Sequence, residues 1–443
     1  MHSYPQNSLA YQGHFYSCNE PEIGHPYYTD LLKKSTYLEL DLDSIALFPS
    51  RYTTIGDKTL VKGIRRTPLY ALDPEKGESC TLGEFPEHNN FRLNAEDIAN
   101  GLYKALHEEI EQYIANKTKI GILLSGGMDS RMVAGITKQI QNRRKDFEVI
   151  AFCWGQADTR DPVYAKRIAE HFDWSFEHFN ITAETLQRNI SICAEEGCLY
   201  SPQHLHAMPD VADRAKELGI DVMLAGSYGD SLGRAVFFGK HINDVLPVQS
   251  TIRNWFYMSS RRRYNDAYKN AFTEINSYWK RYPSKESVSR NETDYQIHYM
   301  RNQLGSCMQH IDKKVPLRQV FSSRSVVSFM WSIDPSCRTD ETYLHLIKLL
   351  DPFLFEIPWA RTGKRYMNND EVEDSIASAF SEYALWTRNE LSSTIRELLN
   401  KLSRSILHPD ISNALFKTHL SQKRMKGGRV LEIILWLSAL SHF

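Results

Sequence analysis

The sequence is poor in the features that assign a protein quickly. Its seven cysteines (Cys18, Cys80, Cys153, Cys193, Cys198, Cys307 and Cys337) are odd in number and form no CxxC pair. That pattern argues against a disulfide scaffold and against a zinc ribbon. Cys193 and Cys198, the closest pair, read as two buried thiols. Charge of one sign is also missing: 53 Lys+Arg against 54 Asp+Glu leave a net charge of −1. Nucleic-acid binding through bulk positive charge is therefore not expected, although a local basic groove stays compatible with the count. No window reaches the roughly 18 apolar residues of a membrane helix. The opening MHSYPQNSLAYQGHFYS has neither a basic n-region nor an apolar h-region, so no secretory signal is read there and a cytoplasmic protein is expected. Repeats and low-complexity tracts are absent. What is present is 42% apolar and 24% charged residues over 443 positions, an ordinary globular composition with room for roughly two or three domains.

The first 90 or so residues carry short apolar-bearing runs, such as 37–42 and 44–48, broken by turn signals at Asp73-Pro74 and Lys76-Gly77. They predict short strands and loops and no long helix. Asn94 then opens the stretch NAEDIANGLYKALHEEIEQYIAN, with Asp97 as its capping partner. Ile98, Leu102, Ala105, Leu106, Ile110 and Tyr113 make one apolar stripe along it. A regular alternation follows: strand 120–124, helix 130–140, strand 148–154, helix 161–172, strand 176–181, helix 207–218 and strand 220–225. Strands and helices in that order predict a parallel sheet with helices on both faces. From about residue 250 the chain reads as mainly helical, and Arg261–Arg263 reads as a solvated helix face.

One segment carries chemistry: the strand Ile120-Gly-Ile-Leu-Leu124 running into Ser125-Gly126-Gly127-Met128-Asp129-Ser130-Arg131. Two glycines let the backbone turn tightly and approach an anion without Cβ interference. A helix start there offers unpaired N–H groups and a positive dipole end, and Ser125 and Ser130 add hydroxyls. No Gly-Lys-Ser/Thr follows and GxGxxG is absent, so this is neither a Walker loop nor a dinucleotide fingerprint. A carboxylate inside a phosphate-binding turn repels its ligand unless a cation bridges them, so Asp129 predicts Mg²⁺. The structural alternative is a strand–turn–helix with a glycine hinge and a capping aspartate.

SGGMDS resembles the SGGxDS pyrophosphate loop of ATP pyrophosphatases, and its surroundings resemble the synthetase domain of class B asparagine synthetases, shared by β-lactam synthetases and lasso-peptide cyclases. The resemblance implies an adenine nucleotide α-hydrolase-like fold: an open parallel sheet with helices on both faces, a helical C-terminal extension and a small N-terminal β-rich region. It divides the chain at 1–92, a shortened glutaminase-like region to which 45–65 contribute, and 93–443, the synthetase domain, with a nucleotide-binding core over 93–245 and a mainly helical part over 246–443. It implies ATP and Mg²⁺, with Leu124, Ser125, Gly126, Gly127, Asp129, Ser130, Phe152 and Gly226 around the nucleotide and the adenine against strand 149–153. Asp230, in Ala225-Gly226-Ser227-Tyr228-Gly229-Asp230-Ser231, falls on the second metal carboxylate, beside Asp129. The closing RVLEIILWLSALSHF resembles the family's terminal helix and reads as buried, although Lys423, Arg424, Lys426 and Arg429 before it would also suit a membrane surface.

The departures are informative. Ser227 and Ser231 stand where the family has two glutamates. In β-lactam synthetases the first of those positions is a tyrosine in a base dyad, and Tyr228, next to it, is the nearest substitute. The family's Lys-x-x-Leu-Arg falls near 343–348 and is headed by Tyr343. Its Arg-x-Lys resembles Arg361-Thr-Gly-Lys364, which makes Lys364 the candidate for stabilising developing charge, with Arg361 beside it. The implied reaction is adenylation of a small-molecule or peptide carboxylate with release of pyrophosphate, then transfer of the acyl group to ammonia or an amine. Glutamine hydrolysis needs a cysteine after the initiator Met. His2 stands there and only about 120 residues precede the loop, so a separate nitrogen-donor or carrier protein, or an amine on the substrate itself (a lactam or macrolactam), is expected. No membrane and no nucleic acid are expected as partners, and a homodimer is left open. Readings of another class are a tRNA-thiolating pyrophosphatase, which would need paired cysteines and a basic surface, and a non-catalytic ATP-binding relative.

Overall fold

The computed structural model of the chain describes residues 8–10, 12–34, 38–51, 53–69, 72–73, 78–79, 85–234, 261–365, 376–402, 406, 409–421 and 429–442. Cys80, the turn signals at 74–77, and Lys423, Arg424 and Lys426 lie outside the described residues, as do the side chains of Arg261–Arg263.

Near the N-terminus, β1 (Phe15–Ser17) pairs antiparallel with β2 (Glu20–His25) and later with β3 (Ile64–Arg66) in the order β2-β1-β3. Between them lie α1 (Tyr28–Lys34) and α2 (Leu42–Arg51). Residues 44–48 are therefore helical where short strands were expected. Asp41 Oδ1 accepts the Asp43 and Ser44 amides, both at 3.0 Å, which caps the helix. Packing then decides: Ile45 and Phe48 are buried, and the Phe48 ring stacks on Trp436 at 4.0 Å. A two-residue ladder joins β4 (Leu72–Asp73) to β5 (Glu78–Ser79).

α3 (Ala95–Ile114) starts as its sequence predicts, with the Asp97 amide donating to Asn94 Oδ1 at 2.8 Å. The alternating units follow: β6 (Lys119–Leu123), α4 (Met128–Arg144), β7 (Glu148–Trp154), α5 (Arg160–His171), β8 (Ser175–Phe179), α6 (Ala183–Glu195), α7 (Met208–Glu217), β9 (Val222–Ala225) and the short α8 (Gly229–Leu232). Side chains on successive strand residues point to opposite faces, and here each face has its own core. Ile120, Ile122, Val149, Ala151, Val222 and Leu224 join one apolar cluster, and Leu123, Ile150, Phe152, Met223 and Ala225 join the other. A sheet buried on both sides needs such continuous apolar strands.

The later part is helical: α9 (Arg261–Trp279), α10 (Ser287–Tyr295), a π-helix (Gln296–Gly305) and α11 (Ser306–Asp312). One strand interrupts it. β10 (Leu317–Gln319) pairs parallel with β9 and completes a five-stranded sheet ordered β10-β9-β6-β7-β8. A three-residue Leu-Arg-Gln segment has no legible period, and it enters the sheet because Met223 donates to Pro316 and Asp312 caps the Leu317 amide. After it come α12 (Arg324–Ser332), α13 (Asp340–Leu350), α14 (Pro352–Glu356), α15 (Tyr383–Trp386), α16 (Ser392–Lys401), α17 (Pro409–Ser421) and α18 (Arg429–Leu440). The last helix is buried as expected, with Trp436 Nε1 donating to the Cys198 carbonyl at 3.0 Å. Cys193 and Cys198 are free, buried thiols. No described helix is long and apolar enough to cross a membrane.

Candidate active site

β6 stops at Leu123, and α4 begins at Met128 with Gly127 as its N-cap, so residues 124–127 form the turn at the strand's carboxyl end. Ser125 Oγ lies 3.0 Å from Ser130 Oγ and accepts the Gly127 amide at 3.1 Å. Ser130 Oγ accepts the Ser125 amide at 3.2 Å. The turn is clamped from behind by Arg131, which is fully buried and donates to the carbonyls of Gly126, Leu354, Ile357 and Pro358 at 2.5–3.0 Å. The Ala360 amide also donates to Gly126 at 3.1 Å, and a Cβ on Gly126 would stand 2.6 Å from the Ala360 methyl.

β9 pairs directly with β6, so the loop carrying Asp230 emerges beside the one carrying Asp129. Gly226 is what lets them touch: a Cβ there would lie 2.7 Å from the Asp129 carbonyl carbon and 2.8 Å from the Ser130 nitrogen. Tyr228, at φ 73°, turns the chain into α8, where Asp230 sits in the first turn. Asp129 keeps 21% of its side chain exposed, and its Oδ2 is 3.5 Å from the Arg234 guanidinium. Its Oδ1 is buried with no hydrogen-bond partner. Burial pushes the Asp129 carboxyl up to about 7, the nearby Arg234 opposing this and the Asp230 carboxylate adding to it. Arg234 itself lies over the rings of Tyr343 at 5.1 Å and Trp359 at 5.4 Å.

Two carboxylates on neighbouring strand ends, one with an orphaned oxygen, fit Mg²⁺. That ion takes hard oxygen donors, keeps several waters and needs only one or two protein carboxylates beside phosphate oxygens. Among the described residues no group of three or more His, Cys, Asp or Glu side chains could hold a metal, so these residues offer no site built from protein ligands alone.

A cavity of about 500 Å³ opens over these strand ends, the place where open α/β sheets take ligands. Leu124, Ser125, Gly127, Asp129, Ser130, Phe152, Gly226 and Asp230 line it together, as does Ser227. Gly126 does not line it; its amide donates to Asp161 Oδ1 at 3.0 Å. Three further candidates stand outside the lining. Tyr228 is buried, and its hydroxyl would be 3.5 Å from a Cβ on Gly305, so it faces the π-helix. Arg361 and Lys364 occupy a tight turn closed by Trp359 donating to the Lys364 carbonyl at 3.0 Å, with Arg361 over the Trp359 ring. That turn adjoins the loop through Ala360 without reaching the cavity.

Sequence reasoning missed three charged groups. Asp161 lines the cavity, Arg131 fixes the loop, and Arg234 pairs with Asp129. Only Asp161 carried a signal, as the acidic residue opening a helix. The opposite wall was also missed: Tyr295 and Tyr299, stacked at 4.7 Å, with Gln303, His204 and His206. His206, at φ 47°, has its Nδ1 2.9 Å from the Tyr383 hydroxyl and lies 5.8 Å from the Trp154 ring. Burial brings it down to about 3 and keeps it neutral. Cys153 and Cys307 also face the cavity, and burial raises both thiols, which disfavours the thiolate that sulfur transfer requires.

The family model described as asparagine synthase matches residues 101–440. The glutamine-hydrolysing asparagine synthetase of Pongo abelii is 30% identical over 154 residues, 34% of this chain and 25% of its own length. Asparagine synthetase B of Escherichia coli (strain K12), also glutamine-hydrolysing, is 23% identical over 167 residues, 35% of this chain and 30% of its own. The chain thus matches only a quarter to three-tenths of the length of these relatives. Among solved structures, the U34-tRNA thiolase NcsA from Methanococcus maripaludis with its [4Fe-4S] cluster aligns at 12% identity and a TM-score of 0.23, covering 48% of this chain and 77% of that one.

Proposed function

Because the chain belongs to the asparagine synthase family, we propose that it is an ATP-dependent ligase that adenylates a substrate carboxylate, releases pyrophosphate and passes the acyl group to ammonia or an amine. The observation that carries this reading is the meeting of the Ser125–Ser130 turn with the Asp129 and Asp230 carboxylates on one cavity. In the first step a carboxylate oxygen bonds to the α-phosphorus and the bond from that phosphorus to the bridging oxygen breaks, so pyrophosphate leaves. In the second, the nitrogen lone pair attacks the acyl carbon, AMP departs and the nitrogen loses a proton.

The chain's own groups divide the work. Ser125, Gly127 and Ser130, bonded to one another in the turn, would redirect hydroxyl and amide donors to the leaving pyrophosphate at the start of α4. Arg131 and Ala360 hold that loop's backbone in place. Asp129 and Asp230 would hold Mg²⁺, which when bound neutralises phosphate charge. Phe152 and Leu124 offer an apolar bed for the adenine. Arg361 and Lys364, on the turn bonded to Gly126, supply positive charge next to the phosphate end. Tyr228 has a structural part, turning the chain so that Asp230 faces Asp129.

Pyrophosphate exchange into ATP, measured with a panel of carboxylic acids, tests the reading. Asp129→Asn is expected to lower exchange by at least about a hundredfold while leaving the thermal midpoint of unfolding near that of the parent. Exchange at the parental rate in that variant would remove the assignment of Asp129.

A further inference from the structure

The nucleotide reading uses the strand ends and leaves the opposite wall of the cavity without a task. That wall comes from α10 and the π-helix, with contributions from the segment before α7. Tyr295, Tyr299 and Gln303 follow one another at the spacing of a single helix face and all line the cavity. The two phenol rings are stacked at 24°. Trp154 and Phe380 line the same cavity, with the His206 ring stacked on Trp154 and edge-on to Phe380 at 5.2 Å. Aromatic rings gathered around one cavity suit a flat body. π-helical turns of this kind are common at functional sites.

Among the described residues that line the cavity none is lysine or arginine, while Asp129, Asp161 and Asp230 all are lining residues. Gln303 and His204 are engaged: His204 Nε2 is 2.8 Å from Glu432 and 2.7 Å from the Gln303 amide. A substrate bearing a second carboxylate would meet no counter-ion among these described lining residues, and burying it unpaired is expensive.

Resting on the ligase reading above, we propose that the carboxylate activated here is carried on a flat, uncharged body, an aryl or conjugated monocarboxylic acid, and not on an amino dicarboxylate. Tyr295, Tyr299, Trp154 and His206 then determine specificity.

Pyrophosphate exchange with benzoate, 4-hydroxybenzoate and cinnamate against aspartate, glutamate and hexanoate decides the matter. The aryl acids are expected to give kcat/KM at least about tenfold above the other three. Equal or better exchange with aspartate, glutamate or hexanoate overturns the proposal and leaves adenylation standing. No exchange with any acid, while equilibrium dialysis still shows Mg·ATP bound, removes the ligase reading and this proposal with it. Tyr299→Ala and Tyr295→Leu are each expected to raise KM for the aryl acid about tenfold with KM for ATP unchanged. An unaltered KM for the acid in both variants, in protein that still binds ATP, overturns the assignment of the wall.

Discussion

A methyl group on Gly226 would collide with backbone and not with a side chain that could swing aside. Its nearest neighbours are the carbonyl carbon and oxygen of Asp129 at 2.7 and 3.0 Å and the nitrogen of Ser130 at 2.8 Å. Gly226→Ala must therefore push the Asp230 loop away from α4 and separate the two carboxylates. Misplacement by about 1 Å at such a site costs up to about a hundredfold, so ATP affinity measured by equilibrium dialysis with Mg²⁺ present is expected to fall at least about tenfold. Gly226 was legible in the sequence because its loop has a recognisable pattern after a clean strand. Arg131 and Arg234 were not, since a buried arginine and a surface one look alike until the carbonyls of Leu354 and Ile357, or the carboxylate of Asp129, are brought alongside. Lys364 shows the converse. A matching motif marked it as a candidate, and the structure puts it on a turn beside the loop, but a motif says nothing about whether the side chain reaches the cavity.

The π-helix has two working faces. One faces the cavity, and the other is pinned to the N-terminal region by a network no linear pattern announces. Arg66, buried, donates to Gln12 at 2.8 Å, Asn302 at 3.1 Å and Ser306 at 2.9 Å. Arg301 donates to the carbonyls of Gln12 and Thr67, and Asn302 to those of Thr54 and Gly56. Burial brings the Arg66 guanidinium down to about 9, Arg301 adding to the shift, so it is still the charged donor at neutral pH. Arg66→Met would leave several buried acceptors unpaired and loosen the register that aims Tyr299 and Gln303. The expected result is a KM for the acyl substrate raised severalfold with KM for ATP little changed, read from exchange kinetics with each substrate varied in turn. Helicity from residue 261 on was legible from composition; the wider turn was not, because 10 residues are too few to separate its period from that of an α-helix. β10 escaped for a related reason: three residues carry no alternation, and its place is set by β9.

The molecule has one core on each face of its sheet, and buried ion pairs tie the outlying helices to both. Glu292 on α10 accepts from Arg338 at 2.5 and 2.8 Å, with His88 at 3.3 Å. The same guanidinium donates to the Leu232 carbonyl at the end of α8, so this pair steadies the helix that carries Asp230. Burial alone would raise Glu292, but Arg338 and His88 outweigh it and hold the carboxyl at about 2. Glu196, after α6, is likewise held at about 2, since His310 and Lys313 on and beside α11 outweigh its burial. A carboxylate depressed in the folded state binds protons less readily there than in the unfolded chain. Its stabilisation is complete above the ordinary value of 4.5 and is lost as pH falls toward 2. Asp312 and Asp129 work the other way: burial raises them to about 6 and about 7, so they take stability away as pH climbs from about 4 to 7. The urea midpoint is therefore expected to drop steeply between about pH 4.5 and pH 2.5 and to decline again as pH rises from 5 to 7. Glu292→Gln, which keeps the shape and removes the charge, should start from a lower midpoint at pH 6, because Arg338 then stays charged and buried without its partner. It should also show a shallower acid limb than the parent. A parent and variant with the same slope below pH 4.5 would place the acid sensitivity elsewhere and leave the Glu292–Arg338 pair as packing without an electrostatic share.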